Sequence, residues 1–220
     1  MALDDYIKKR KFNNTPEPEG QYVGGNSDRF VIQRHQASHL HYDLRLEMDE
    51  VLKSWAVPKG PSLNPDDKRL AIQTEDHPVK YLTFHGSIPK GNYGAGDMTI
   101  WDEGSYKIIP DGKYTSGISQ LKKGDLKIEF FGKKIKGKFA LVKMRHTKEQ
   151  NQWLLIKKKD DFSTVLEYDA EVFSNKESHS KASKIIPLKP SQLLKPMLAT
   201  AAKKIFNDPE WIYEIKWDGY

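Results

Sequence analysis

The chain has 220 residues, with 36 Lys and Arg against 30 Asp and Glu (formal net charge +6), 37% hydrophobic residues and no cysteine. This length fits one sizeable domain plus an appendage, at ~100–200 residues per domain, and the absence of thiols excludes disulfides and thiolate metal sites. No apolar run approaches the ~20 residues that span a bilayer, and the first residues lack the charged-then-apolar pattern of a secretory signal. The expectation is a soluble cytoplasmic protein with no membrane partner.

A short helix is expected near the N-terminus, beside the basic run Lys8, Lys9, Arg10 and Lys11. Short strands follow at 30–33, 40–48, 51–57, 69–74, 97–101, 126–131, 139–144 and 153–157, with a second short helix at 118–123. Asp49-Glu50 reads as a tight turn, and Pro58-Lys59-Gly60-Pro61 and 91–96 read as loops. The 91–96 loop lacks the terminal Gly-Lys-Ser/Thr of a phosphate-binding loop and is read as structural. Many short strands with Gly/Pro turns predict a mainly-β fold, a small closed or nearly closed β-barrel with a few short flanking helices. Clusters at Lys133, Lys134, Lys136, Lys138 and at 157–159 suit a polyanion.

From Leu40 to Met48 the residues alternate strictly, with Leu40, Tyr42, Leu44, Leu46 and Met48 against His41, Asp43, Arg45 and Glu47. A period of two marks a half-buried strand, and its polar face here carries an imidazole, two carboxylates and a guanidinium. A lone strand histidine is ordinarily a hydrogen-bonded structural residue, but five of the seven histidines fall between positions 35 and 85. His35, His41 and Asp43 form a candidate open divalent-metal site of two imidazoles and a carboxylate. Lys59 sits in a rigid turn after the neighbouring strand, and Arg69 shares a strand face with Ala71 and Gln73. Near a metal, Arg45, Lys59 and Arg69 would clamp a phosphoryl group. His77 lies at a strand end, where it would donate or relay a proton. No Ser/His/Asp nucleophile arrangement is evident.

After Asp169 the character changes. The stretch 174–184 is polar and lacks aromatic residues, so 170–187 reads as a flexible linker after a 1–169 domain. Residues 188–220, with a broken helix expected at 193–206, read as the opening of something larger that has been cut off.

The run Phe30-Val-Ile-Gln-Arg-His-Gln-Ala-Ser-His-Leu-His-Tyr-Asp-Leu-Arg-Leu-Glu47 resembles the 3′-phosphoesterase domain of bacterial DNA ligase D. So do Leu52-Lys-Ser-Trp-Ala-Val-Pro-Lys-Gly-Pro-Ser62, Glu75-Asp-His-Pro78, Tyr81, Ile88-Pro-Lys-Gly-Asn-Tyr-Gly-Ala-Gly96 and Trp101-Asp-Glu-Gly104, a likeness spanning residues 5 to 159. The resemblance implies a small β-barrel that heals DNA 3′ ends in non-homologous end joining. It would remove a terminal ribonucleoside and then the 3′-phosphate from a primer-template, with Mn2+ as preferred metal. It matches His35, His41 and Asp43 to metal ligands, and Arg45, Lys59 and Arg69 to phosphate-binding cations. It also matches His77 and Tyr81 to active-site positions, and Arg10 and Glu17 to arm positions tied to activity. Lys11 departs from the acidic residue often found beside that arginine, which bears on the diesterase step. Ku and a polymerase domain are implied partners in the full-length system, on the bacterial nucleoid.

Glu214-Ile-Lys-Trp-Asp-Gly-Tyr220, following Lys195-Pro-Met-Leu-Ala199, is similar to the nucleotidyl-transfer motif of ATP-dependent DNA ligases, with Lys216 at the nucleophile. No ligation is expected from so short a segment, and ATP would serve only the missing ligase part. The rival readings are a non-catalytic DNA-end-binding module that tethers a ligase, and a barrel built around structural zinc.

Overall fold

The structure is a computed structural model that describes residues 3–21, 27–145 and 147–172. The 174–184 stretch, the 193–206 helix and Lys216 lie outside the described residues. Strict alternation becomes strand where it was read: β2 (Leu40–Met48) and β3 (Val51–Val57) form as expected. Between them Asp49 and Glu50 take φ of 56° and 63°, the two-residue hairpin geometry whose twist matches that of the flanking strands. β1 (Arg29–Gln36), β4 (Lys68–Gln73), β5 (Gly86–Ile88), β6 (Gly96–Ile108), β7 (Asp125–Gly132), β8 (Lys136–Lys143) and β9 (Gln152–Lys157) complete the strands among the described residues.

The strands pair antiparallel in the order β1–β2–β3–β4–β9–β8–β7–β6, and β6 returns to β1, so eight strands close a barrel. Closure leaves no free sheet edge except where short β5 adds to the start of β6. Two short helices flank the barrel, α1 (Asp4–Lys8) and α2 (Gly117–Lys123). Ser116 caps α2, its side chain accepting from the Ser119 amide, and Gly124 ends it at φ 81°. No described helix is long and apolar enough to cross a membrane.

The alternation of β2 now has a physical meaning. Tyr42, Leu44 and Leu46 enter the barrel core with Phe30, Trp55, Trp101, Phe130, Phe139 and Trp153. His41, Asp43, Arg45 and Glu47 face outward, yet Asp43, Arg45 and Glu47 are buried. A second apolar layer covers that outer wall: Leu3 and Tyr6 from the α1 region, Val79, Tyr81 and Leu82 from the short helical turn Val79–Thr83, and Ile88 and Met98. Each buried large apolar side chain contributes about 1.5–3 kcal/mol, which holds this cover down and places the polar row in a partly dry setting.

Packing against the barrel continues to Glu171, past position 169 where composition changes. Tyr168 and Ala170 join the core, and Trp101 Nε1 donates to the Ala170 carbonyl at 2.9 Å. Arg34 grips Glu171 with two nitrogens at 2.9 and 2.8 Å, and the Tyr42 hydroxyl donates to the same carboxylate at 2.7 Å.

Candidate active site

His35 on β1 and His41 on β2 are register partners, so their side chains emerge together from one rung of the ladder, with ring centroids 4.6 Å apart. Asp43 follows two residues later on the same face. Its carboxylate lies 3.5 Å from His35 Nδ1 and 3.6 Å from His41 Nε2. The opposite ring nitrogens are committed: His35 Nε2 donates to the Gly94 carbonyl and His41 Nδ1 to the His39 carbonyl, both at 2.9 Å. A neutral imidazole carries one donor and one acceptor nitrogen, so the lone pairs of His35 Nδ1 and His41 Nε2 are left facing the carboxylate. Oriented imidazoles of this kind are what a metal site requires. Ligands bound at about 2.0–2.2 Å stand about 3–3.5 Å from one another; here the two nitrogens approach different oxygens of Asp43, and one ligand atom from each residue lies within 4.8 Å of the others. Two nitrogens and a carboxylate oxygen fit a divalent ion with open coordination positions.

Burial alone would raise the Asp43 carboxyl, but its polar neighbours, the Arg45 guanidinium first, outweigh it and hold the group below its usual range. Arg45 donates to Asp43 Oδ2 at 3.0 Å, to Gln33 Oε1 at 2.7 Å and to Ser54 Oγ at 3.1 Å, with its guanidinium 4.6 Å from the Tyr81 ring centre. Three of its five N–H groups are thereby used, which leaves two without an acceptor among the described residues.

The N-terminal arm closes one side. Arg10 donates to Glu17 Oε1 at 2.7 Å, to Glu75 Oε1 at 3.0 Å and to His77 Nε2 at 3.2 Å, and its guanidinium stacks 3.8 Å from the Tyr6 ring centre. Glu17 also accepts from the Tyr81 hydroxyl at 2.7 Å and from Thr15 at 2.9 Å. His77 Nδ1 donates to the Glu75 carbonyl at 2.8 Å, which leaves Nε2 as an acceptor. Burial first, then the charges of Arg45 and Arg10, push the His77 imidazole well below its ordinary value of 6.5. The expected proton donor is therefore, in this geometry, a neutral acceptor that orients Arg10.

Arg10, Glu17, His35, His41, Asp43, Arg45, His77 and Tyr81 line one cleft of about 240 Å³, together with Glu75 and Tyr93. Lys11 is exposed and does not line it. Lys59 and Arg69 line a different cleft with Asp67 and Lys68. For Arg69 strand parity gives a reason. Arg69 shares the β4 face of Ala71, a core residue, and its guanidinium is spent on Asp67 at 2.8 Å and on the Tyr168 carbonyl at 2.6 Å. Sequence reasoning missed Gln33, Ser54 and the ion-pairing role of Glu75. Parity signals Gln33, two residues before His35, whereas Ser54 needs the β2–β3 register to be seen opposite Arg45.

Residues 33–143 match the model of the DNA Ligase D 3′-phosphoesterase domain. The chain belongs to this family. It is 39% identical, over 99% of its length, to the multifunctional non-homologous end joining protein LigD of Pseudomonas aeruginosa, covering 28% of that protein. It is 40% identical to the LigD protein of Mycolicibacterium smegmatis and 37% identical to that of Mycobacterium tuberculosis, again over 99% of this chain and covering 25% of each relative. The chain thus spans about a quarter of these relatives. Within the family, the matched segment carries His35, His41, Asp43, Arg45, His77 and Tyr81, while Arg10 and Glu17 precede it.

Proposed function

We propose that the chain is a manganese-dependent DNA 3′-end phosphoesterase of a ligase D-type protein, acting in bacterial double-strand break repair by non-homologous end joining. One observation carries this reading: the imidazole lone pairs of His35 and His41 converge on Asp43, beside an Arg45 that retains two N–H donors. Two imidazoles and a carboxylate suit a divalent first-row metal ion, for which the family likeness points to Mn2+, and such an ion bound there would supply Lewis-acid polarisation of a phosphoryl oxygen.

The protein's own residues do the rest. Arg45 donates to the phosphoryl oxygens as charge grows on them, from a position already fixed by Gln33 and Ser54. Tyr81 supports the guanidinium with its ring and ties Glu17 to the wall through its hydroxyl. His77 holds Arg10 at the cleft side, where Arg10 positions the primer end. Of the cleft-lining hydroxyls, Thr74 donates to the Ser54 carbonyl, Tyr81 donates to Glu17, and Tyr93 accepts from Lys9. The nucleophile in this scheme is water, or a neighbouring 2′-hydroxyl in the diesterase step.

The substrates proposed are primer-template 3′ ends bearing a terminal ribonucleoside or a phosphate, with Ku and a polymerase domain as partners in the full-length system. By composition the chain from 173 to 187 is a linker, its start moved past the packed Ala170 and Glu171, and by the ligase likeness 188–220 opens an adenylylation module with Lys216 at the nucleophile position. The test is a primer ending in two ribonucleotides. Its shortening to a 3′-phosphate and then to a 3′-hydroxyl supports both steps. Phosphate removal from a second primer that already ends in a 3′-phosphate, without ribonucleoside release from the first, makes this member a monoesterase only, in keeping with Lys11.

A further inference from the structure

The loop at 91–96, which the sequence left as a structural turn, carries a large aromatic side chain in an unusual place. Tyr93 is 48% exposed and lines the same cleft as the His35/His41/Asp43 cluster. A singly exposed aromatic needs no explanation by itself. Here, however, the ring is one residue from Gly94, the carbonyl that fixes His35, and it is held on a fixed support. Gly91 and Gly94 take φ of 89° and 75°, which other residues rarely adopt. Asn92 ties the loop to the arm through the Asn14 carbonyl at 3.2 Å and closes its own turn on the Pro89 carbonyl at 3.1 Å. Lys9 and Arg10 stand 4.8 and 5.5 Å from the Tyr93 ring centre, so cations that attract a phosphodiester flank a surface that attracts a base.

We infer that Tyr93 is a stacking platform for the nucleobase of the primer-terminal nucleotide. The inference rests on the phosphoesterase reading, because a terminal phosphate held by Arg45, beside the His35/His41/Asp43 cluster, leaves its nucleoside in the cleft that the exposed ring also lines. Every base offers a π face, so stacking positions an end without selecting its sequence, as the healing of arbitrary breaks requires. Tyr93 is a binding residue in this scheme and touches none of the reacting atoms.

The test compares binding of two 3′-phosphate primer-templates, one with a normal terminal nucleotide and one whose terminal sugar lacks its base. Fluorescence anisotropy is measured in chelator with the full chain and with Tyr93→Phe, Tyr93→Leu and Tyr93→Ala. The unsubstituted chain and Tyr93→Phe should bind the base-bearing end about tenfold more tightly, the size of one base–aromatic stack. Tyr93→Leu and Tyr93→Ala should bind both ends alike, at the level of the abasic one. Equal weakening on both ends in these variants would show that the ring only braces Lys9 and Arg10, and would overturn the inference. Discrimination retained in Tyr93→Leu, or absent from the unsubstituted chain, would also overturn it. Failure of the phosphoesterase reading shows separately, as no phosphate release from the base-bearing end with Mn2+.

Discussion

Arg10 Nη2 donates to His77 Nε2 across 3.2 Å, joining residues 67 positions apart. The contact requires a neutral His77, since its Nδ1 proton is already given to the Glu75 carbonyl. A second proton on Nε2 would point at a guanidinium and repel it. Because Arg10 also bridges Glu17 and Glu75, the N-terminal arm depends on the protonation state of one imidazole.

Mild acid should therefore weaken the fold. The folded His77 is held below its ordinary value of 6.5, so both states are neutral above that pH and stability is full. Below it the unfolded chain takes up a proton that the folded chain refuses, and stability falls by up to about 1.4 kcal/mol per pH unit. Asp43 and Glu75 are held below ordinary values of 3.8 and 4.5, so the stability they contribute is lost only at lower pH. Urea unfolding at pH 7.5 and pH 5.5 should show the loss, with a smaller loss in His77→Asn. Equal losses in both proteins would assign the effect elsewhere.

Metal affinity should depend on the charge of Asp43. Asp43→Asn keeps the shape and an acceptor for Arg45 but removes the anionic ligand, and His41→Ala removes a partly exposed imidazole at little cost to packing. Titration calorimetry with Mn2+ should show binding weakened at least about 100-fold in each, more than the ~10–100-fold lost when only a supporting contact is removed. Unchanged affinity in either variant would remove that residue from the ligand set.

The three arginine and lysine candidates should separate. Arg45→Ala should lower 3′-phosphate removal by about 10²–10³-fold, the usual effect of deleting a donor to developing charge. Lys59→Ala and Arg69→Ala should keep phosphate removal, because both line another cleft. Arg69→Ala should instead lower unfolding free energy by about 1–3 kcal/mol through its lost bonds to Asp67 and Tyr168. Steady-state rates beside urea unfolding make the comparison. Loss of phosphate removal in Lys59→Ala at unchanged stability would extend the phosphate path into the second cleft.

Glu171→Ala should loosen the metal rung from behind. Arg34 and Tyr42 are register partners one rung from His35 and His41, and Glu171 holds both. A stability loss of about 1–3 kcal/mol, with weaker Mn2+ binding, is expected by unfolding and titration. No change in either would make this clamp incidental.

The candidate metal cluster of His35, His41 and Asp43 was legible because strand period and antiparallel register both follow from the sequence of β1 and β2. The barrel was legible from the succession of short strands separated by Gly/Pro turns. β5 was not, since Gly-Ser-Ile is too short to show a period, and only 97–101 of β6 was recognised. In the rest of β6, Asp102 interrupts the apolar pattern because its carboxylate accepts from the Lys133, Lys134 and Ile135 amides. Lys59 and Arg69 line another cleft, a separation that proximity in the chain does not reveal. The Arg10 to Glu75 and His77 contacts join residues 65 and 67 positions apart, and no local pattern encodes them.

The central claim meets its most direct test with a primer-template ending in a 3′-phosphate, incubated with the full chain with and without Mn2+. The expected result is a 3′-hydroxyl product with the metal, none in excess chelator, and none from His41→Ala. Tight binding of the end without turnover under any metal would contradict the account and leave a DNA-end-binding module. Undiminished turnover in chelator would contradict it as well, by taking the metal out of the reaction.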